Sequence, residues 1–276
     1  MGELDGKVAI VTGAGRLRGI GRAAAVALAE LGADVVPTGT GRDPSRYPEA
    51  EKAVGWRDIE STAEQVRGLG RRALPLVVDV ANADDVAEMV EKTVKELGRV
   101  DILINNAAFA RGPDRVPTIE MDDDIFQKVV DIKIRGTYLC TKAVAKVLIA
   151  QGEGGKVVNV ASVAGKSGSE DTLAYCAANF AQVGMTQTLA RELGQFKVNV
   201  NCVCPGWVDT SRLDGLMVGD WFDRMAMETP IRRNGSDEEV GEFVAYLCTK
   251  APSWIHGHSI NMDGGAFMMH YGIRPG

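Results

Sequence analysis

Short, continuous apolar runs recur along the chain, each bounded by glycine or polar residues and followed by a stretch with helical periodicity. Val8-Ala9-Ile10-Val11 leads into glycine-rich sequence and then an alanine-rich segment from Ile20 to Leu31, which predicts a buried strand, a turn and a helix. The unit repeats, with strands expected at about 33–38, 73–78, 100–104, 155–161, 197–203 and 258–262. Strands that are apolar throughout, rather than alternating, belong in a parallel sheet covered by helices on both faces. The predicted fold class is α/β, a doubly wound parallel sheet of about seven strands in a single domain spanning 1–276.

Two stretches interrupt this rhythm. Gly39 to Gly55, with Gly-Thr-Gly-Arg-Asp-Pro-Ser-Arg-Tyr-Pro at its start, is longer than most connections in such folds. Pro37 lacks the N–H that a central strand uses, so the second strand is expected to end near it. The second stretch, about 209–234, mixes Met217, Trp221, Phe222, Met225 and Met227 with charges. It is either a cover over an apolar substrate pocket or a simply packed helix.

The net charge of −6 argues against a nucleic-acid footprint, which is normally basic. No apolar run approaches the length of a membrane span, and Met1-Gly2-Glu3-Leu4-Asp5 lacks the regions of a signal peptide. Gly6 stands where a myristoylation signal has Ser or Thr, and a cytoplasmic location is expected. The five cysteines are odd in number and sit in apolar segments, as reduced, packed thiols do. Cys202-Val203-Cys204 and His256-Gly257-His258 lack further ligands at metal-binding spacing, so no metal site is expected.

Thr12-Gly13-Ala14-Gly15-Arg16-Leu17-Arg18-Gly19-Ile20-Gly21 lies between the first strand and first helix. There glycines let the backbone approach a pyrophosphate, and the helix N-terminus favours its charge. With Asp79-Val80, Asn105-Asn106-Ala107-Ala108, Ser162, Tyr175, Pro205-Gly206 and Asp263-Gly264-Gly265 in order behind it, the chain resembles the short-chain dehydrogenases/reductases, in particular the 3-oxoacyl reductase-like group. The resemblance implies a Rossmann fold and covers essentially the whole chain. The family's turn is usually Thr-Gly-x-x-x-Gly-x-Gly; here two extra residues precede Gly19.

The resemblance implies cofactor contacts from Gly13, Gly15, Arg18, Gly19, Ile20 and Thr40 on the phosphate side. It also implies contacts from Asp79 and Val80 at the adenine, Asn106 at the ribose, Tyr175, and Pro205, Gly206, Val208 and Thr210 near the nicotinamide. NAD-binding members usually carry an acid at the end of the second strand, which would repel a 2′-phosphate. Here that position is Gly39, with Arg18, Arg42 and Arg46 nearby as phosphate donors. NADP is therefore expected over NAD, unless these arginines are solvated loop charges.

In the family a tyrosine passes the proton, a serine holds the substrate oxygen, and a lysine four residues after the tyrosine assists. Free tyrosine has a pKa near ~10, so a nearby cation is needed to favour phenolate. Ser162 and Tyr175 match, but the lysine position holds Asn179, and the family's asparagine position, in Asp131-Ile132-Lys133-Ile134-Arg135-Gly136-Thr137, holds Lys133. Either the two have exchanged roles, with Lys133 supplying the field and Asn179 holding the ribose, or Lys133 snorkels to solvent and the site is impaired.

The function expected is NAD(P)-dependent hydride transfer to or from a small or medium hydrophobic ketone or secondary alcohol, with Tyr175 as acid and base. The alternative is an impaired dinucleotide-binding homologue acting as sensor or scaffold. By resemblance the partners are a small-molecule substrate and copies of the chain itself, in a homotetramer or homodimer built on the long fourth and fifth helices and the final strand. The tail Met268-Met269-His270-Tyr271 is a candidate part of that interface.

Overall fold

The computed structural model of the chain describes residues 2–214 and 220–267. Seven parallel strands form one sheet: β1 (Val8–Val11), β2 (Asp34–Gly39), β3 (Leu76–Val77), β4 (Ile102–Asn105), β5 (Gly155–Val160), β6 (Val198–Pro205) and β9 (Ser259–Met262), in the order β3-β2-β1-β4-β5-β6-β9. Two further strands, β7 (Val208–Asp209) and β8 (Gly235–Ser236), pair with each other. The order reverses beside β1, between β2 and β4, and in doubly wound sheets the crevice at such a switch point holds the ligand.

Successive residues of β1 point to opposite faces, and both faces are buried. Ala9 and Val11 pack with Ala24, Ala25 and Leu28 of α1 (Ile20–Glu30) and with Val240, Val244 and Leu247 of α9 (Asp237–Cys248). Val8 and Ile10 pack with Val86, Met89 and Val90 of α4 (Ala83–Leu97) and with Cys140, Val144 and Leu148 of α6 (Gly136–Gln151). This double burial is why β1 is apolar at every position.

The second strand does not end at Pro37. It runs to Gly39, with Pro37 in register with Val11. Val35 N–H donates to the Arg72 carbonyl and Gly39 O accepts from Val78 N–H, so alternate residues of β2 face the β3 side. Opposite Pro37 on that side is Pro75, outside the short strand β3. The missing N–H thus falls where the ladder is already interrupted.

The long segment after β2 is also more structured than a loop. It contains α2 (Glu49–Ala53) and then α3 (Ile59–Gly68), with Tyr47, Glu51, Trp56 and Asp58 buried. The motif that carries Lys133 falls where α5 (Asp123–Val130) joins α6 through a single π-helical turn, Asp131–Arg135. Such widened turns occur often at functional sites. The remaining helices are α7 (Leu173–Leu193) and α8 (Trp221–Glu228). Met217 and the tail from Met268 onward lie outside the described residues.

Candidate active site

The glycine-rich turn is held by the chain around it. Thr12 Oγ1 donates to Ile104 O (3.1 Å) and accepts from the N–H of Asn106 (2.9 Å). The Asn106 amide donates to Thr12 O (2.9 Å) and Gly13 O (3.0 Å). Asn106, expected at the ribose, therefore spends its amide N–H groups in fixing the turn. Gly19 N–H, at the start of α1, donates to Asp237 Oδ2 at 2.6 Å, and Ile20 follows at the first helical position. The two extra residues bulge toward the segment after β7. Arg18 pairs with Asp209 (2.8 Å) and with Asp214, and Ser211 donates to Arg18 O.

The segment 40–58 closes over the same turn. Trp56 Nε1 and Arg42 both donate to Gly15 O, at 2.7 and 2.8 Å, and Leu17 N–H donates to Glu51. A Cβ on Gly15 would stand 1.7 Å from Asp58 Oδ1, so only glycine fits beneath this cover. Arg42 pairs with Glu51 (2.8 Å) and Asp58 (3.1 Å), which raise its pKa against the cost of burial. Asp58 Oδ2 lies 3.9 Å from where a Cβ on Gly39 would stand. Asp58 thus brings a carboxylate, paired with Arg42, beside the end of β2. Thr40 is exposed beside it, and Asp79 is exposed beyond β3, where Asp79 Oδ1 accepts from Ala81 N–H; Val80 is buried next to it. Arg16 is half-buried, its pKa lowered by burial and by Arg42, with Glu51, Asp58 and Arg212 also acting on it.

On the other side of the sheet's switch point, Ser162 follows β5. Its Oγ accepts from Ala164 N–H (3.2 Å), capping a short 3₁₀ turn, and faces Pro205 O at 3.5 Å. Gly206 N–H is bonded to Met262 O (2.9 Å), while Val208 and Thr210 are buried just beyond. Tyr175 is in the first turn of α7, which packs against the turn after Ser162. Arg115 lies over the Tyr175 ring, 3.9 Å from its centroid, and Arg212 lies at 5.3 Å.

Lys133 and Asn179 are both buried. The π-helical turn directs Lys133 inward, where Nζ donates to Val160 O at 2.5 Å, two residues before Ser162. Burial, followed by the repulsion of Arg212, pushes its pKa down to about 7. Lys133 therefore does not snorkel to solvent. Asn179 turns back on its own helix, donating from Nδ2 to Tyr175 O (2.8 Å), and its Oδ1 has no partner among the described residues. Gly165 covers it so closely that a Cβ there would stand 2.8 Å from Asn179 O.

A cleft of about 290 Å³ opens beside β7, lined in part by Trp207, Val208, Ile231 and Met262. Trp207 meets Trp221 edge to face at 4.9 Å. Neither Ser162 nor Tyr175 lines this cleft. Sequence reasoning missed Glu51, Trp56, Asp58, Arg111, Arg115 and Arg212. The unusual length of the 39–55 segment was the signal for Glu51; Trp56, Asp58 and the arginines carried no local signal.

A doubly wound sheet, a glycine-rich turn at its switch point, and a serine and tyrosine beyond the ends of its strands define a dinucleotide-dependent oxidoreductase class. The chain belongs to the short-chain dehydrogenase/reductase family: residues 13–266 match the family model described as enoyl-(acyl carrier protein) reductase. It is 34% identical over 269 residues to a 3-oxoacyl-[acyl-carrier-protein] reductase of Synechocystis, covering 97% of this chain and 100% of that one. It is 32% identical over 264 residues to a 2-dehydro-3-deoxy-D-gluconate 5-dehydrogenase of Dickeya dadantii, covering 95% and 96%. Among solved structures, carveol dehydrogenase from Mycobacterium avium in complex with NAD superposes with a TM-score of 0.84 at 27% identity, covering 96% of this chain and 99% of that one.

Proposed function

We propose that the protein catalyses reversible hydride transfer between a nicotinamide dinucleotide and a small or medium ketone or secondary alcohol. The observation that carries this reading is Ser162 at the carboxyl end of β5, two residues beyond the carbonyl that the buried Lys133 ammonium holds, with Tyr175 on the helix that packs against the turn after it. The bound dinucleotide supplies or accepts the hydride. Tyr175 gives the proton to the carbonyl oxygen or takes it from the alcohol, and Ser162 holds that oxygen. Lys133, with the arginines over the tyrosine ring, supplies positive field, and Asn179 holds the helix turn that carries Tyr175. The sequence alternative for Asn179, a bond to the ribose, is disfavoured by its burial beneath Gly165.

The residues fit the dinucleotide. Gly13, exposed and at a positive φ of 68°, leaves the turn between β1 and α1 open to close approach by a pyrophosphate, and Arg16 is a half-buried cation in the same turn. The expectation of NADP relied on Arg18, Arg42 and Arg46. The first two are already paired with carboxylates, and Asp58 stands where the acid of NAD-selective members would be. The geometry therefore favours NAD. Exposed Tyr138 and Ile149 on α6 and Leu173 and Phe180 on α7 support self-association through these helices, read out by the mass of the protein in solution. Single-turnover oxidation of bound NADH by a panel of ketones tests the activity; a chain that binds NADH but never oxidises it would be the sensor or scaffold instead.

A further inference from the structure

Arginines from two separate loops converge on Tyr175. Arg115 comes from the segment after β4 and Arg212 from the segment after β7, and both lie against the tyrosine ring, at 3.9 and 5.3 Å. Arg212 also donates to Phe109 O at 2.7 Å, tying the two loops together. Arg111 lies four residues before Arg115 in the same segment and is half-buried like it; burial lowers the pKa of both, and the charges of Arg212, Tyr175 and Asp114 act on each.

The charges in this group do not balance. The carboxylate that faces them is Asp114, fully buried and 2.6 Å from Arg115. Among the described residues neither Arg111 nor Arg212 has an ion-pair partner, although the chain as a whole is acidic, with a net charge of −6. Holding unpaired guanidinium groups together in a half-buried site costs free energy that an anionic ligand would recover, and a guanidinium fork suits a carboxylate in particular.

We infer that the substrate is an oxo or hydroxy acid, its carboxylate held by Arg212 with Arg111 and Arg115 while its carbonyl or hydroxyl carbon faces Tyr175. This rests on the hydride-transfer reading proposed above and narrows its substrate: the apolar ketone becomes one with an anionic end. Arg115 is left intact in the test, because removing it would strand the buried Asp114 charge.

Calorimetric binding of levulinate and of its uncharged methyl ester to the NAD-loaded protein tests the inference. The wild type should bind levulinate at least about tenfold more tightly than the ester. The preference should weaken with added salt. Arg212→Gln and Arg111→Gln should bring the two compounds close to parity, while Arg212→Lys, which keeps the charge but loses the fork, should retain part of the preference. Absence of levulinate binding, equal binding of acid and ester, or a preference that survives both glutamine variants would overturn the inference. So would variants that lose affinity for NAD alone, since the arginines would then serve the pyrophosphate. Turnover is assayed on the same two compounds. Preferential binding of the acid without hydride transfer leaves the anion site standing and removes the proposed activity.

Discussion

The ammonium of Lys133 donates to the carbonyl of Val160 at 2.5 Å, placing a buried cation two residues before Ser162. Its pKa falls from 10.5 to about 7. Between these values the unfolded chain binds more protons than the native one, so the lysine's contribution makes stability rise with pH through that window. Below about 7 the penalty is present in full, on the order of 5 kcal/mol. Lys133→Met, similar in length and uncharged, should melt higher than the wild type at pH below that value, with the gap closing as the pH approaches the unfolded lysine's range. Thermal melts across pH check this; a gap independent of pH would show that the ammonium is not held as described.

The same substitution should cost activity. If the Lys133 charge assists Tyr175, turnover in Lys133→Met or Lys133→Ala should fall by about two orders of magnitude, roughly 3 kcal/mol of transition-state stabilisation. The wild-type rate should lose a component as pH rises through about 7, and the variants should lack that limb. Initial rates across pH, with circular dichroism to confirm the fold, make the comparison.

A Lys133 charge that stands in for the lysine absent from position 179 predicts non-additivity between the two positions. Asn179→Lys alone brings a second ammonium beneath Gly165, and Lys133→Asn alone removes the first, so each should be impaired. The double variant, which has the family's usual arrangement, should be more active than either single change. A double-mutant cycle on kcat/KM measures this coupling.

The proposed preference for NAD rests on the carboxylates beside the glycine-rich turn. Comparison of Michaelis constants should favour NAD over NADP. Asp58→Asn should reduce the discrimination by roughly tenfold, or about 1.4 kcal/mol, because it removes a charge that repels phosphate and loosens Arg42 to meet one. Asn keeps the size and shape of the aspartate at this position, where φ is 55° and ψ −133°. An unchanged ratio would remove Asp58 from cofactor choice.

Arg42 also joins Glu51 and Asp58, both buried, to the backbone of Gly15. Arg42→Ala should therefore destabilise the protein by about 3 kcal/mol, the cost of leaving buried charges unpaired. Urea unfolding measures it; a loss of a few tenths would mean that water enters the cluster.

Much of the fold was legible because burial on both faces gives parallel strands continuous apolar runs, as in Val8–Val11 and at 102–104. Pro37 misled because its position relative to Pro75 depends on register, which no local pattern encodes. The β7–β8 pair was invisible, since two residues per strand carry no periodicity. Ser162, Tyr175, Lys133 and Asn179 were singled out by resemblance to the family's motifs, but the inward path of Lys133 depends on a π-helical turn that reads as ordinary helix. Asp58 over Gly15, and Arg115 with Arg212 over Tyr175, join parts of the chain far apart in sequence. Loop charges have no repeating pattern to announce such meetings.

The central claim is that Tyr175 moves a proton while hydride passes between a nicotinamide and a carbonyl carbon. Single-turnover stopped-flow measurement of NADH oxidation, on the wild type and on Tyr175→Phe with a panel of oxo acids and neutral ketones, tests it most directly. The account predicts oxidation of the bound NADH by at least one compound in the wild type, and loss of that rate by at least about a hundredfold in the variant. NADH that binds to the wild type and stays reduced with every compound, or equal rates in the two proteins, would contradict it.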